Sequence, residues 1–253
     1  MASTVSLEEV KKIISFPVKG EKWVLKNLIG AALILGNYIL PLIPTLPVLG
    51  YAARVMKHVI NDEDPALPEW NDWGSLFLDG IKVFGVVFIF ELPALLVMLA
   101  GYAVVFIPVF IMAMNSNAKT LPDLFVPAEI LGNFGGMAFF LLGSFLSLAI
   151  MMFLPPALGN MIVRGDFAAA FRFKEWWPIF KASFGGYLVA IMLLLGMYIV
   201  LVFAVEFLVF TVILCLLVPI GMSFVNFALL AVMMALFGVA YRDGVRKLAA
   251  QPA

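Results

Sequence analysis

The sixteen lysines and arginines of this chain are placed so that four long stretches contain none: Asn27–Ala53, Val83–Ala118, Thr120–Val163 and Ala182–Tyr241. Runs of this length are too apolar to hide in a single water-soluble core, whereas a bilayer with about 30 Å of hydrocarbon needs only about 20 residues per helical pass. Composition points the same way. The 253 residues are 64% hydrophobic and 13% charged, against roughly 45–50% and 25% in soluble domains, and mean hydropathy is +1.09. A water-soluble fold is excluded. Inside a membrane every backbone polar group must be paired within the protein. The expected fold is therefore an all-α, polytopic integral membrane helical bundle.

Counting spans is harder. Val83–Met114 and Ile130–Val163 each supply one pass, separated by the polar interval Asn115–Glu129, and Ala182–Tyr241 is long enough for two passes with a turn between Glu206 and Pro219. Asn27–Ala53 is interrupted by Pro41, Pro44 and Pro47, and three prolines so close cannot continue a regular helix. Cation placement chooses between the readings. A single crossing there splits the cations 6 to 10, whereas a chain that doubles back at the prolines leaves 15 of 16 on one side, with Lys119 across. The positive-inside rule favours the second arrangement. About six membrane helices are expected, the first two short (Leu28–Leu40 and Leu46–Ile60), with both termini cytoplasmic. The segments are a cytoplasmic amphipathic N-terminus at 1–26, a short hairpin at 28–60, an interfacial segment at 61–82, hairpins at 83–163 and 182–241 around a second interfacial segment at 164–181, and a tail at 242–253.

Three polar segments carry an amphipathic or aromatic pattern. Ser6-Leu7-Glu8-Glu9 fits a capping box ahead of a short surface helix over 7–15. Trp70, Trp73 and Phe77 share one face of the next segment, and Phe171, Trp176 and Trp177 accompany Arg164, Arg172, Lys174 and Lys181 in the third. Tryptophan beside basic residues belongs at the headgroup boundary. With Arg54, these aromatics are the candidate interfacial or partner-docking residues. Phe77–Gly85 can also be laid on Trp177–Gly185, each an aromatic stretch ahead of a lysine and then Phe-Gly, with Lys82 and Lys181 one position out of register. An ancestral duplication and the ordinary composition of a membrane boundary both account for that likeness.

At Gly50-Tyr51-Ala52-Ala53-Arg54, Leu67-Pro68-Glu69-Trp70, Gly80-Ile81-Lys82 and Gly165-Asp166-Phe167-Ala168-Ala169-Ala170-Phe171 the chain resembles a family of bacterial and archaeal membrane proteins, the domain of unknown function 4013. The resemblance implies a multi-helix domain in a prokaryotic cytoplasmic membrane, without assigned activity and without catalytic residues to carry over. Glu91 is atypical against the apolar second membrane segment that the family implies.

Few residues suggest chemistry. Glu91 lies nine positions beyond Lys82, about 13 Å along a helix, with Pro93 following. A carboxyl at that depth is a candidate ligand or proton site, together with Pro41, Pro44 and Pro47; the alternative is a neutral carboxyl hydrogen-bonded to a carbonyl freed by the proline. Glu206 is expected at the outer boundary. His58 stands alone beside Asn61-Asp62-Glu63-Asp64, a spacing that fits solvated surface rather than a metal site; the acidic run is suited to neutralising nearby cations or docking a basic partner. Cys215 is the single cysteine, in an apolar setting that suits packing. Gly132, Gly135, Gly136 and Gly143 permit close helix approach, within the chain or in a homo-oligomer. Walker loops, dinucleotide fingerprints and nucleophile elbows are missing from the sequence. The expectation is a non-enzymatic membrane scaffold or accessory subunit. It needs no metal or cofactor, makes no use of nucleic acid, and binds membrane lipids or a protein partner through its cytoplasmic aromatic and basic face. The alternative is a transporter, channel or lipid-handling protein using the Pro41–Pro47 break and Glu91.

Overall fold

The computed structural model describes residues 7–114, 122–209 and 218–250. Ser6 of the expected capping box, Lys119, Cys215 and the chain between 209 and 218, where a turn is expected, lie outside the described residues. Among the described residues the architecture is all-α, without strands. Its helices are α1 (Leu7–Ser15), α2 (Trp23–Gly36), α3 (Thr45–Ile60), α4 (Trp73–Met114), α5 (Pro122–Arg164), α6 (Phe173–Ala182), α7 (Phe184–Val209) and α8 (Val218–Ala249), with 3-10 turns at Phe16–Val18 and Phe167–Phe171.

Among the described residues, four helices are long and apolar enough to cross a membrane, over Trp73–Phe110, Gly132–Arg164, Phe184–Leu208 and Val218–Ala249. The first two helices of the expected six, α2 and α3, are short: at 14 and 16 residues they are about 21 and 24 Å long at about 1.5 Å per residue, below the hydrocarbon thickness. Their boundaries differ from the expected ones. α2 begins at Trp23 rather than Leu28, because Lys26, which looked like the end of a polar segment, is buried within the helix. It stops at Gly36, four residues short of Leu40. Between the helices, Thr45 donates its hydroxyl to Asn37 Oδ1 at 2.7 Å. Pro44 stands at the N-cap of α3 and Pro47 in its first turn, where the missing N–H has no helical partner to lose.

The expected interfacial segment at 61–82 is likewise not one unit. α4 starts at Trp73 and runs unbroken through Lys82 into the apolar stretch, since nothing between Gly74 and Lys82 breaks a helix. At the other aromatic segment α6 ends at Ala182 and α7 begins at Phe184, with Ser183 between them in a non-helical conformation. The two stretches aligned in sequence thus differ in structure, one continuous and one broken.

The described residues fall into two compact units: one up to Val86 and from Pro155 onward, the other Val87–Leu154. In the first, α8 is the central element, packed on α1, α2, α3, α6 and α7. Close approach depends on glycines. A Cβ at Gly50 would lie 1.9 Å from the Leu76 carbonyl oxygen and one at Gly80 would lie 1.7 Å from that of Leu46, so α3 and the start of α4 cross backbone to backbone. In the second unit α4 and α5 run antiparallel. Gly101 and Gly136 face each other, and Gly143 lies against Met98 and Ala94. The glycine stripe is used there for packing within the chain.

Candidate functional site at the polar helix ends

The strongest assembly of polar and aromatic groups surrounds the segment 65–72, which joins α3 to α4. The Trp70 ring stacks on Tyr51, centroids 4.1 Å apart, and on Trp73 at 5.4 Å. The Phe227 ring from α8 is tilted against Tyr51 and Trp70. The polar tips of Tyr51 and Trp70, less exposed than Trp73, both have partners, as buried donors require: Tyr51 donates to the Pro68 carbonyl at 2.7 Å and Trp70 Nε1 to the Lys26 carbonyl at 2.9 Å. Lys26 Nζ reaches the Leu67 carbonyl and the Glu69 carboxylate, each at 2.8 Å. That hydrogen bond from Lys26 holds the Glu69 carboxyl below the usual carboxylate range. Arg54 closes the far side, donating to Ser75 Oγ at 2.8 Å and to the Asn71 carbonyl at 3.3 Å.

A second assembly follows α5. Gly165 ends the helix at φ +67, the left-handed cap that glycine adopts without strain. Asp166 then caps the 3-10 turn, accepting from the Ala168 N–H at 3.1 Å and from Arg172. Buried Asn160 donates to the Ala169 carbonyl at 2.9 Å and to Glu175 at 3.0 Å, and accepts from the Tyr241 hydroxyl at 3.2 Å. The Asn160 amide, followed by Arg164 and Arg172, lowers the Glu175 carboxyl. Trp176 donates to the Ala170 carbonyl at 2.9 Å.

A third assembly involves the acidic run. Asp62 pairs with Arg242 at 3.3 Å and with Arg246, Glu63 with His58 Nδ1 at 2.9 Å, and Asp64 with Lys12. Arg242 also reaches Glu9 at 2.6 Å. The run therefore fastens α1 and α8 together. Among the described residues there is no group of three or more His, Cys, Asp or Glu able to hold a metal ion.

A family model described as Protein of unknown function (DUF4013) matches residues 33–210. The chain belongs to this family. No curated protein and no solved structure matches it. Three of the four segments on which the resemblance rested meet around the first assembly, and the fourth, Gly165–Phe171, forms the turn of the second. In this DUF4013 chain, Gly50–Arg54 and Gly80–Lys82 make the α3–α4 crossing and Leu67–Trp70 fills its outer side.

The predicted docking residues do not form one face. Trp73, Phe77 and Phe171 are exposed, and Trp177 stacks on Phe173 at 4.9 Å with Lys181 5.8 Å from its ring centroid. Trp176 is only 1% exposed, so its role as a docking residue is corrected to core packing. Trp70 is half-buried and committed to its stack. Glu91 is half-buried in α4, without a hydrogen-bond or ion-pair partner among the described residues. It belongs to the Val87–Leu154 unit, whereas Pro41, Pro44 and Pro47 belong to the other. Glu206 is exposed. Sequence reasoning missed Lys26, Asn160 and Arg242 as organisers of this DUF4013 chain. Their signal was a polar residue within or flanking an apolar run, a placement that requires a specific partner.

Proposed function

We propose that the protein is a non-enzymatic integral membrane scaffold or accessory subunit whose aromatic and basic cytoplasmic face engages lipid headgroups or a protein partner. The observation that carries this reading is the division of labour at the polar helix ends. Trp70, Trp176, Lys26 and Asn160 are consumed in holding the frame rigid, whereas Trp73, Phe77 and Phe171 are exposed, on segments that also carry Lys82 and Arg172. Exposed aromatics near lysine and arginine are suited to the headgroup layer. On this reading α2 and α3 form a re-entrant or minimally spanning hairpin. Its support is the apolar tip, where Tyr38, Ile39, Leu40, Leu42 and Ile43 are all exposed. Extraction into polymer-bounded nanodiscs followed by mass spectrometry tests the proposal. Enrichment of a particular lipid class or a stoichiometric protein is expected; bulk membrane composition around an isolated chain would sink it.

A second reading, a transporter, channel or lipid-handling protein, is favoured by one observation: the half-buried Glu91 carboxyl in the apolar part of α4, two residues before Pro93. Unchanged proton or solute flux in liposomes bearing Glu91→Gln or Glu91→Leu would remove it.

A further inference from the structure

A cleft of about 100 Å³ opens at the polar ends of α3, α4 and α5, lined by Arg54, Lys57, Asp79 and Lys82 over Met161 and Gly165, with Ala53 and Ile162 completing the wall. Its four charged residues come as two i,i+3 pairs, which places each pair on one face of its helix. Arg54 and Lys57 come from α3, Asp79 and Lys82 from α4. The lining therefore carries three positive charges and one negative. Arg54 is held in place by Ser75 and Asn71 rather than by a carboxylate at close range; Asp72 is 3.8 Å away. Asp79 approaches Lys82 to 3.8 Å, a long contact for an ion pair. Lys57 is exposed and has no ion-pair or hydrogen-bond partner among the described residues.

The depth of the cleft is set by the sequence. Lys82 is the last cation before the apolar stretch of α4, and Arg164, next to Gly165, is the first after that of α5. The Phe167 ring lies against Gly85, 3.1 Å from where a Cβ would stand, so the turn after α5 folds back beside Lys82 and walls the cleft. Cations at the end of α3 also complement the partial negative charge of a helix C-terminus. That does not account for Lys82, which lies inside α4, nor for Arg54, whose guanidinium is bound across to the other helix.

We propose that this cleft binds a phosphoryl group, with Arg54, Lys57 and Lys82 as donors and the apolar Ala53, Met161 and Ile162 against the carbon skeleton that bears it. This deepens the headgroup reading above and rests on it for the lipid source, while a soluble phosphate ester has the same chemistry. A guanidinium and two ammonium groups supply charge-assisted hydrogen bonds to phosphate oxygens. The cleft is large enough to admit a tetrahedral group, since a cavity needs only about 10–15 Å³ to hold a water.

Native mass spectrometry of the full chain in a neutral detergent separates the sources. One arm titrates dioleoylphosphatidic acid, dioleoylphosphatidylglycerol and, as the zwitterionic comparison, dioleoylphosphatidylcholine; the other titrates inorganic phosphate and glycerol 3-phosphate. Saturable binding of one equivalent is expected, weakened about tenfold by Lys57→Gln, further by the Lys57→Gln/Lys82→Gln pair, and strengthened by Asp79→Asn. Lys57 holds nothing in the fold, so its variant keeps the test valid if others misfold. Site-dependent binding in the lipid arm supports a headgroup source, and in the soluble arm alone a free phosphate ester. Equal binding by the parent chain, Lys57→Gln and Asp79→Asn in both arms overturns the site. If lipid enrichment in nanodiscs persists in that case, the broader reading stands without this cleft.

Discussion

Replacing Gly50 by alanine puts a Cβ 1.9 Å from the Leu76 carbonyl oxygen, and replacing Gly80 puts one 1.7 Å from that of Leu46. Ordinary contact begins near 3.4 Å, so a gap of about 1.5 Å must open between α3 and the start of α4. Both obstacles are backbone atoms, which no rotamer change relieves. Overpacking of this kind costs about 1–3 kcal/mol, and separation of 0.5–1 Å already forfeits a quarter to a half of each dispersion contact. Alanine returns about 0.8–1 kcal/mol of helix propensity. A net loss of about 1–2 kcal/mol is expected, a fall of about 2–8 °C in thermal midpoint for a chain of this size. Gly196→Ala in α7 is the control: nothing lies within 4 Å of its Cβ position, so it should be neutral or stabilising. The two crossings share one relief, because a single displacement of α3 from α4 accommodates both methyl groups. Gly50→Ala/Gly80→Ala should therefore cost clearly less than the sum of the singles in a thermal scan of the detergent-solubilised protein. Strict additivity, or Gly196→Ala falling as far as Gly50→Ala, would refute the crossing.

The other assemblies make separate predictions. Trp70→Ala removes the stack on Tyr51 and Trp73 and the hydrogen bond from the indole N–H to the Lys26 carbonyl; a loss of about 2–4 kcal/mol is expected, read by thermal unfolding with tyrosine and tryptophan fluorescence. The lowered carboxyl of Glu175 contributes stability that is present above its ordinary range and is lost as pH falls through its depressed folded-state value. Asn160→Leu should therefore lower stability at neutral pH and flatten the acid side of the profile, because the carboxyl returns toward its unfolded value. Asp62→Asn weakens the attachment of the acidic run to Arg242 and Arg246. It should cost at most about 1 kcal/mol globally, being half-exposed, while speeding limited proteolysis ahead of α2.

Much of the membrane frame was legible in the cation spacing, because a charge inside hydrocarbon is costly whatever the fold. Val83–Met114 and Ala182–Tyr241 were readable for that reason. The ends of helices were less so. Lys26 and Lys82 looked like boundaries and instead lie inside α2 and α4, one paired to Glu69 and one beside Asp79. Charge marks where water or a partner is available, not where the backbone stops being helical. The aromatic pattern misled for a related reason. A tryptophan is equally suited to the headgroup layer and to a buried site with a carbonyl for its N–H. Trp73 took the exposed option and Trp176, with Ala170, took the buried one.

The choice of packed face is hardest to read, and lipid is the cause. In water the apolar stripe of a helix points to the core; in hydrocarbon an exposed leucine costs nothing, so apolar periodicity loses its meaning. The apolar window of α7 is only 6% buried and that of α8 44%, although both helices are long and apolar enough to cross a membrane. What separates them is small and polar residues. Gly238 lies against Met56 and Val59, Gly244 against Ile179, and Tyr241 crosses to Asn160, whereas Gly196 of α7 faces open space. A glycine or tyrosine gains from a protein neighbour what lipid cannot supply, close backbone approach in one case and a hydrogen-bond acceptor in the other. The central position of α8 follows from that chemistry. Substituting leucine at Gly238 should therefore dislodge α8 from α3, while the same change at Gly196 should leave the packing of α8 intact.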